Sequence, residues 1–321
     1  MEKDRWENKS MITEIILLGF GNLQGLQIPL FLAFLLSYIV TMAGNLTIVS
    51  LVASDRQLQT PMYFFLGNLS CLEACYSSTV LPRTLASIFR GDNTITFTGC
   101  LIQLYCFGFL ATAECYLLAA MAYDRYVAIC KPLHYATLMD ATTTIQLAAG
   151  SWLCPVFVLI ILILLLSGLT FCGPNEIDHF FCDVAPLVSL SCTDTGWVTL
   201  IFFILASLNI LPPFLLTLAS YGFIIFTILR IPSTKGRHKA FSTCSSHLTV
   251  VTLFYGTLIM VYVLPKTDSL RALNKIFSVF YAVLTPLVNP VIYSLRNKEM
   301  KESLRKTLYK MKNIYGFRDL V

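Results

Sequence analysis

Two acids stand where the chain is otherwise apolar: Glu73 in the run Leu69-Ser70-Cys71-Leu72-Glu73, and Glu114 in Ala111-Thr112-Ala113-Glu114-Cys115. Buried carboxylates at close range do not both ionise cheaply, so a facing pair either shares a proton or binds a cation such as Na⁺. Two protonated acids bonded to Ser and Asn neighbours are the plainer alternative. A second ionisable unit is Met121-Ala122-Tyr123-Asp124-Arg125-Tyr126, followed by Lys131-Pro132-Leu133-His134-Tyr135. Adjacent helical residues do not face each other. Arg125 therefore projects alone, toward another helix or a partner's backbone. A third unit, Pro286 with Asn289-Pro290-Val291-Ile292-Tyr293, removes backbone donors and obstructs the preceding turn. Asn289 can bond a freed carbonyl and Tyr293 can change packing partners, which makes the segment a candidate two-state element. No nucleophile–base or metal-ligand set shares one depth, so an enzyme is not expected.

The elements that carry these residues are set by composition. Of 321 residues, 56% are hydrophobic and 13% charged, against about 25% charged in a soluble domain. A hydrocarbon layer of about 30 Å needs roughly 20 apolar residues per helix, and only helices or closed barrels satisfy their backbone there. Seven segments qualify: Leu26–Ala53, Met62–Phe89, Gly99–Ile129, Thr143–Leu169, Val198–Ile231, Phe241–Leu264 and Leu273–Leu295. The expectation is an all-α membrane protein, a seven-helix bundle over 26–295, with an outer segment at 1–25 and a cytoplasmic segment at 296–321. Glu73 and Glu114 then fall midway along antiparallel neighbours, at a depth that Asn45 and Asn289 also reach.

Basic residues give the orientation. With the N-terminus outside, the inner side receives Arg56, Arg125, Lys131, Arg230, Lys235, Arg237, Lys239 and the basic tail from Arg296 to Arg318, leaving eight basic residues outside. The net charge of +5 is thus a sum over two unlike faces and implies anionic lipid and a cytoplasmic partner rather than nucleic acid. In the tail, Met300, Leu304, Leu308 and Met311 recur at helical spacing among Lys298, Lys301, Arg305, Lys306, Lys310 and Lys312, as in an amphipathic interfacial helix. Residues 1–25 lack the marks of a cleaved secretory signal, so the first span is expected to act as the membrane signal. Asn8-Lys9-Ser10 is the accessible glycosylation sequon, because those at Asn45 and Asn68 lie inside predicted helices.

Of eleven cysteines, four fall on the oxidising outer side: Cys100, Cys172, Cys182 and Cys192. They allow three connectivities, and their spacing fits no zinc pattern. A bond from Cys100 to the middle of the loop would fold that loop inward as a lid.

Taken as an ordered set, these motifs resemble the rhodopsin-like receptors, and among them the tetrapod-type odorant receptors. The residues that carry the resemblance are Gly44-Asn45, Pro61-Met62-Tyr63-Phe64-Phe65-Leu66, Met121–Tyr126 with Lys131–Tyr135, Ser220-Tyr221, Lys239–Leu248, Pro286–Ser294 and His179-Phe180-Phe181-Cys182-Asp183. The resemblance implies bridges Cys100–Cys182 and Cys172–Cys192. It implies an odorant pocket formed by Phe107, Gly108, Ala111, Thr112, Ala206, Asn209, Tyr255, Leu258, Ile259, Tyr262 and Val279. It also implies activation through Asp124, Arg125, Tyr126, Tyr221, Asn289, Pro290 and Tyr293, with a stimulatory olfactory-type G protein raising cyclic AMP at the plasma membrane of sensory cilia. Glu73 departs from the family's usual aspartate, and the extra methylene changes its reach toward Glu114. Amine receptors carry an aspartate where Phe107 stands, so neutral ligands such as esters, alcohols, aldehydes, ketones or aromatics are expected. A rhodopsin-like receptor for lipid or peptide is the alternative; a transporter would show inverted repeats and a polar path, and neither is seen.

Overall fold

The computed structural model describes residues 12–21, 25–171, 175–230, 233–264 and 268–315, with side chains at 234–236, 238–244, 246, 268–272, 293–296, 298 and 310–315 outside that description. Long helices dominate: α1 (Gln27–Ser54), α2 (Pro61–Arg90), α3 (Phe97–Cys130), the short α4 (Tyr135–Leu138), α5 (Ala141–Ser167), the short α6 (Val184–Val188) and α7 (Gly196–Leu229). The sixth span is α8 (Thr234–Leu258) continued by a π-helical turn over Ile259–Val263. The seventh is α9 (Asp268–Val279), a second π turn over Phe280–Leu284, and α10 (Thr285–Arg296). The last helix, α11 (Lys298–Tyr315), follows at once.

Each predicted span is present within a few residues, except that the sixth starts seven residues earlier, at Thr234 rather than Phe241. Its polar first turns carry no apolar signal, so hydropathy alone misses them. Among the described residues five stretches are long and apolar enough to cross a membrane: Gln27–Ser54, Phe97–Cys130, Ala141–Ser167, Gly196–Leu229 and Leu273–Ile292. The second span falls short because Asn68, Glu73 and Arg83 interrupt it. Its outward face is apolar like its neighbours': Phe64 and Phe89 of α2 are exposed, as are Ile28 of α1, Phe157 and Leu164 of α5, and Trp197 and Leu215 of α7. In a protein that crosses a bilayer, such side chains meet acyl chains rather than water.

One element lies beyond the all-helical expectation. Strand β1 (Glu14–Leu17) pairs antiparallel with β2 (Thr94–Thr96) and parallel with β3 (Glu176–Ile177), with Ile15 opposite Ile95 and Leu17 opposite Ile177. Ile15 and Leu17 point inward and are buried, which is the period of a strand. Residues 14–17 are therefore tied to the loops before α3 and between α5 and α7. Asn8 lies outside the described residues.

The core is built by close approach of helices. A Cβ on Gly44 would lie 2.8 Å from Pro290 Cβ, so α1 and α10 touch through a hydrogen atom and a proline ring. That contact lets Asn45 reach across: its Nδ2 donates to the Pro286 carbonyl at 3.4 Å, the carbonyl that Pro290 leaves without a donor four residues later. Asn289 was expected to bond such a carbonyl. Its described amide bond goes instead to Glu73, because Asn289 faces α2 while Asn45 faces the proline turn.

Gly44→Val should force α1 and α10 apart and cost about 2 kcal/mol of packing, read as a lower melting temperature and reduced surface expression. Wild-type values for both would show that the contact is not needed.

Candidate functional site

The outer half of the bundle holds a partly open, mainly apolar cavity of about 90 Å³. Its walls come from α3 (Leu104, Phe107, Gly108, Ala111, Thr112, Cys115), α5 (Leu159, Leu162) and α7 (Phe202, Ala206, Asn209), with Leu258 and Tyr262 from the sixth span. Cys182, Asp183 and Val184 of the outer loop form its roof. Eight expected residues line it: Phe107, Gly108, Ala111, Thr112, Ala206, Asn209, Leu258 and Tyr262. Three do not. Tyr255 is fully buried and donates to the Cys115 carbonyl at 2.6 Å, while Ile259 and Val279 pack against the core outside the lining. The α5 wall and the roof are additions to the expected set; no α5 position had been assigned, since that helix is uniformly apolar and gives no periodic signal.

Small residues make the space. A Cβ on Gly108 would meet Leu159 Cδ1 at 2.8 Å, so α3 and α5 close on each other at that level. An apolar void of about 150 Å³ accommodates benzene. A ring-sized ligand here therefore requires side chains such as Phe202 or Leu258 to move.

The roof is fixed from three directions. Cys182 is bonded to Cys100, with Cα atoms 5.4 Å apart, as the resemblance implied. Gln103 accepts from the Cys182 backbone N–H at 3.0 Å and donates to the Thr79 carbonyl at 2.9 Å, linking lid, α3 and α2. Behind it sits an aromatic plug in which Phe107 lies 4.6 Å from both Tyr76 and Phe181, and Phe180 stacks on Phe20 of the outer segment. Cys192 is itself disulfide-bonded, and Phe171 pairs with Ser191 beside it. Cys172, its expected partner, lies outside the described residues.

His179, two residues before the plug's second phenylalanine, is 2% exposed and its Nε2 meets Ser278 Oγ at 3.1 Å. Burial lowers its pKa from 6.5 to about 4, reinforced by Lys275, which pairs with Asp178 at 2.6 Å.

Midway through the bundle, Asn289 of α10 bonds Glu73 of α2, and Glu114 of α3 is fully buried. Among the described residues both Glu114 oxygens, the Tyr76 hydroxyl, Ser77 Oγ and the Oδ1 atoms of Asn45 and Asn289 are buried without a hydrogen-bond partner. Carboxylate and amide oxygens are the donor set that hard cations take, so these residues fit Na⁺.

At the inner end, Asp124 accepts from Tyr135 at 2.9 Å, and no described ion pair joins it to Arg125. Tyr221 bonds His247 of the sixth span. The Tyr126 ring lies 5.8 Å from that of Phe223, tilted at 53°, and beneath Lys131 Nζ at 5.7 Å. His247 and Tyr135 were legible within the expected motifs, but no role followed from spacing alone. The Tyr293 side chain lies outside the described residues. Below this level Tyr63 donates to Asn297 and Glu299, at 2.9 and 2.5 Å, and Lys306 to Gln57. These bonds dock α11, with Met300 buried and Leu308 exposed, against the bundle.

A roofed apolar cavity above a buried carboxylate pair, and an arginine at the inner mouth of the same helices, define a seven-helix membrane receptor. The chain belongs to the olfactory receptor family, whose model, described as "Olfactory receptor", matches residues 34–311. Human relatives cover nearly its whole length. "Olfactory receptor 6B1" is 50% identical over 303 residues, spanning 94% of this chain and 97% of the relative, and "Olfactory receptor 6N1" is 50% identical over 301 residues, spanning 94% and 96%.

The buried neutral His179 gives a pH dependence with a definite sign. The unfolded chain binds the proton at higher pH than the folded one, so the stabilisation is complete above pH 6.5 and declines as pH falls toward 4. Between pH 7 and pH 5 the loss should be about 2 kcal/mol, seen as a falling melting temperature that His179→Gln flattens. An equal pH slope in the variant would assign the effect elsewhere.

Proposed function

We propose that this receptor detects small, largely neutral, apolar volatile molecules in the cavity beneath the bridged lid and signals through a stimulatory olfactory-type G protein that raises cyclic AMP. The observation that carries this reading is a roofed cavity with mainly apolar walls and few polar groups, in a member of the olfactory receptor family. An uncharged ligand of modest size loses little on leaving water for such walls and gains dispersion contact.

Its polar contacts fall to Asn209 and, through the wall below, to Tyr255. Asn209 already accepts from Tyr116 at 3.1 Å and donates to the Leu205 carbonyl, so a ligand here perturbs an existing bond between α3 and α7. Tyr255 transmits the change along the sixth span to His247 and Arg125, where outward movement of the inner end exposes a groove for a G-protein helix. Asp124, Tyr126, Tyr221, Asn289, Pro290 and Tyr293 take part in that rearrangement. Glu73 and Glu114, with the amide oxygens of Asn45 and Asn289, hold Na⁺ in the resting state, and the ion supplies the charge that lets both acids ionise. The N-terminus lies outside, the basic tail binds the inner leaflet of the plasma membrane, and the receptor resides in sensory cilia.

In cells co-expressing the receptor and a stimulatory G protein, some members of a volatile panel should raise cyclic AMP. Arg125→Ala should abolish the response, and Asn209→Ala should shift it at least tenfold in concentration with surface expression intact. Silence to every volatile beside a response to a lipid or peptide would overturn the reading.

A further inference from the structure

We propose that Phe20, in the segment before α1, is a positioning residue for ligand binding: acting through Phe180 and Phe181, it holds Phe107 and so fixes the shape of the cavity wall. The inference rests on reading the cavity as the odorant pocket.

The run Leu18-Gly19-Phe20-Gly21 makes a tight turn directly after β1. Gly19 and Gly21 have φ values of 57° and 75°, which a residue with a Cβ adopts only at a cost. The Gly21 N–H donates to the Leu18 carbonyl at 3.1 Å and closes the turn. The Leu18 and Gly19 N–H groups donate to the Ile177 and His179 carbonyls at 2.8 and 3.0 Å, which pins the turn to the loop that carries the roof. Its tip presents the Phe20 ring to Phe180, stacked at 5.1 Å, and to Phe34 of α1 at 5.4 Å.

From Phe180 the contact continues inward. Phe180 meets Phe181 edge-on at 4.9 Å, and Phe181 meets Phe107 at 4.6 Å. Phe180, Phe181 and Phe107 are all buried, and Phe107, three ring contacts from Phe20, lines the cavity. Tyr76 and Tyr281 pack Phe107 from α2 and the seventh span, at 4.6 and 5.8 Å, so Phe181 is the contact that ties this wall to the loop. Removing the Phe20 ring uncovers one face of Phe180. Close-packed side chains pass a displacement on to their neighbours, so Phe180, Phe181 and Phe107 all gain alternative placements. A wall that is not set in advance must be ordered by the ligand, which weakens binding.

The test is cyclic AMP in cells co-expressing the receptor and a stimulatory G protein, dosed with a panel of neutral volatiles that includes acetophenone, benzyl alcohol, cyclohexanone and pentyl acetate. Phe20→Ala should raise the half-maximal concentration of each active volatile about fivefold, with maximal response and surface expression held. Phe20→Tyr, which keeps the ring, should keep wild-type potency. So should Leu18→Ala, which trims an exposed side chain of the same turn and leaves its backbone bonds in place. Because Phe20 acts through Phe180, Phe20→Ala combined with Phe180→Ala should lose no more potency than Phe180→Ala alone. Additive losses, an equal loss in Leu18→Ala, or wild-type potency in Phe20→Ala overturn the proposal while odorant detection stands. Silence of the wild type to all volatiles at normal surface expression fails the odorant reading and the proposal with it. If Phe20→Ala does not reach the surface, Phe20→Leu decides: it keeps apolar bulk without a ring, and wild-type potency there overturns the proposal.

Discussion

The hydrocarbon interior of a bilayer offers no hydrogen bonds, and this one condition orders the whole molecule. Backbone groups close within helices, apolar side chains such as Phe157 and Leu215 turn outward, and polar side chains gather inside and satisfy one another. Asn45 answers the carbonyl freed by Pro290, Asn289 answers Glu73, and Gln103 answers the lid. The usual arrangement of soluble proteins is thereby turned inside out, and the interior polar groups become the places where ligand, ion and partner can act.

The end that carries the Cys100–Cys182 bond meets the opposite condition, because it lies beyond the hydrocarbon layer. There the chain relies on covalent and sheet contacts instead of lipid exclusion. The Cys100–Cys182 bond, the three short strands and the Phe20–Phe180 stack hold the loop across the bundle. A roof fixed in this way gives the cavity a defined shape before any ligand arrives, which lowers the ordering cost of binding.

Hydropathy and periodicity make the seven spans and the tail helix readable, since these depend on composition averaged over many residues. The second span is readable from its length and the polar breaks around it although Asn68, Glu73 and Arg83 weaken its apolar signal. Eight of the eleven pocket positions that the resemblance implied line the cavity. What was not readable depends on single contacts. The α5 wall has no polar contrast to mark its inward face, Tyr255 is turned away by its bond to Cys115, and strand β1 is too short to announce itself. The exchange of roles between Asn45 and Asn289 likewise follows from the Gly44 approach, which no local pattern encodes.

The two π turns lie on adjoining spans and are joined by Tyr262 and Tyr281. The second precedes Pro286, which cannot donate to the turn before it, and Thr285 places its hydroxyl on the Phe280 carbonyl at 3.1 Å. A π turn holds one residue more than an α-helix needs. Returning that residue to the regular ladder would rotate everything beyond it by roughly 100°, the angle between successive residues at 3.6 per turn. The outer ends of these spans thus possess a spare tooth, like a gear able to slip by one notch while the shaft below stays engaged.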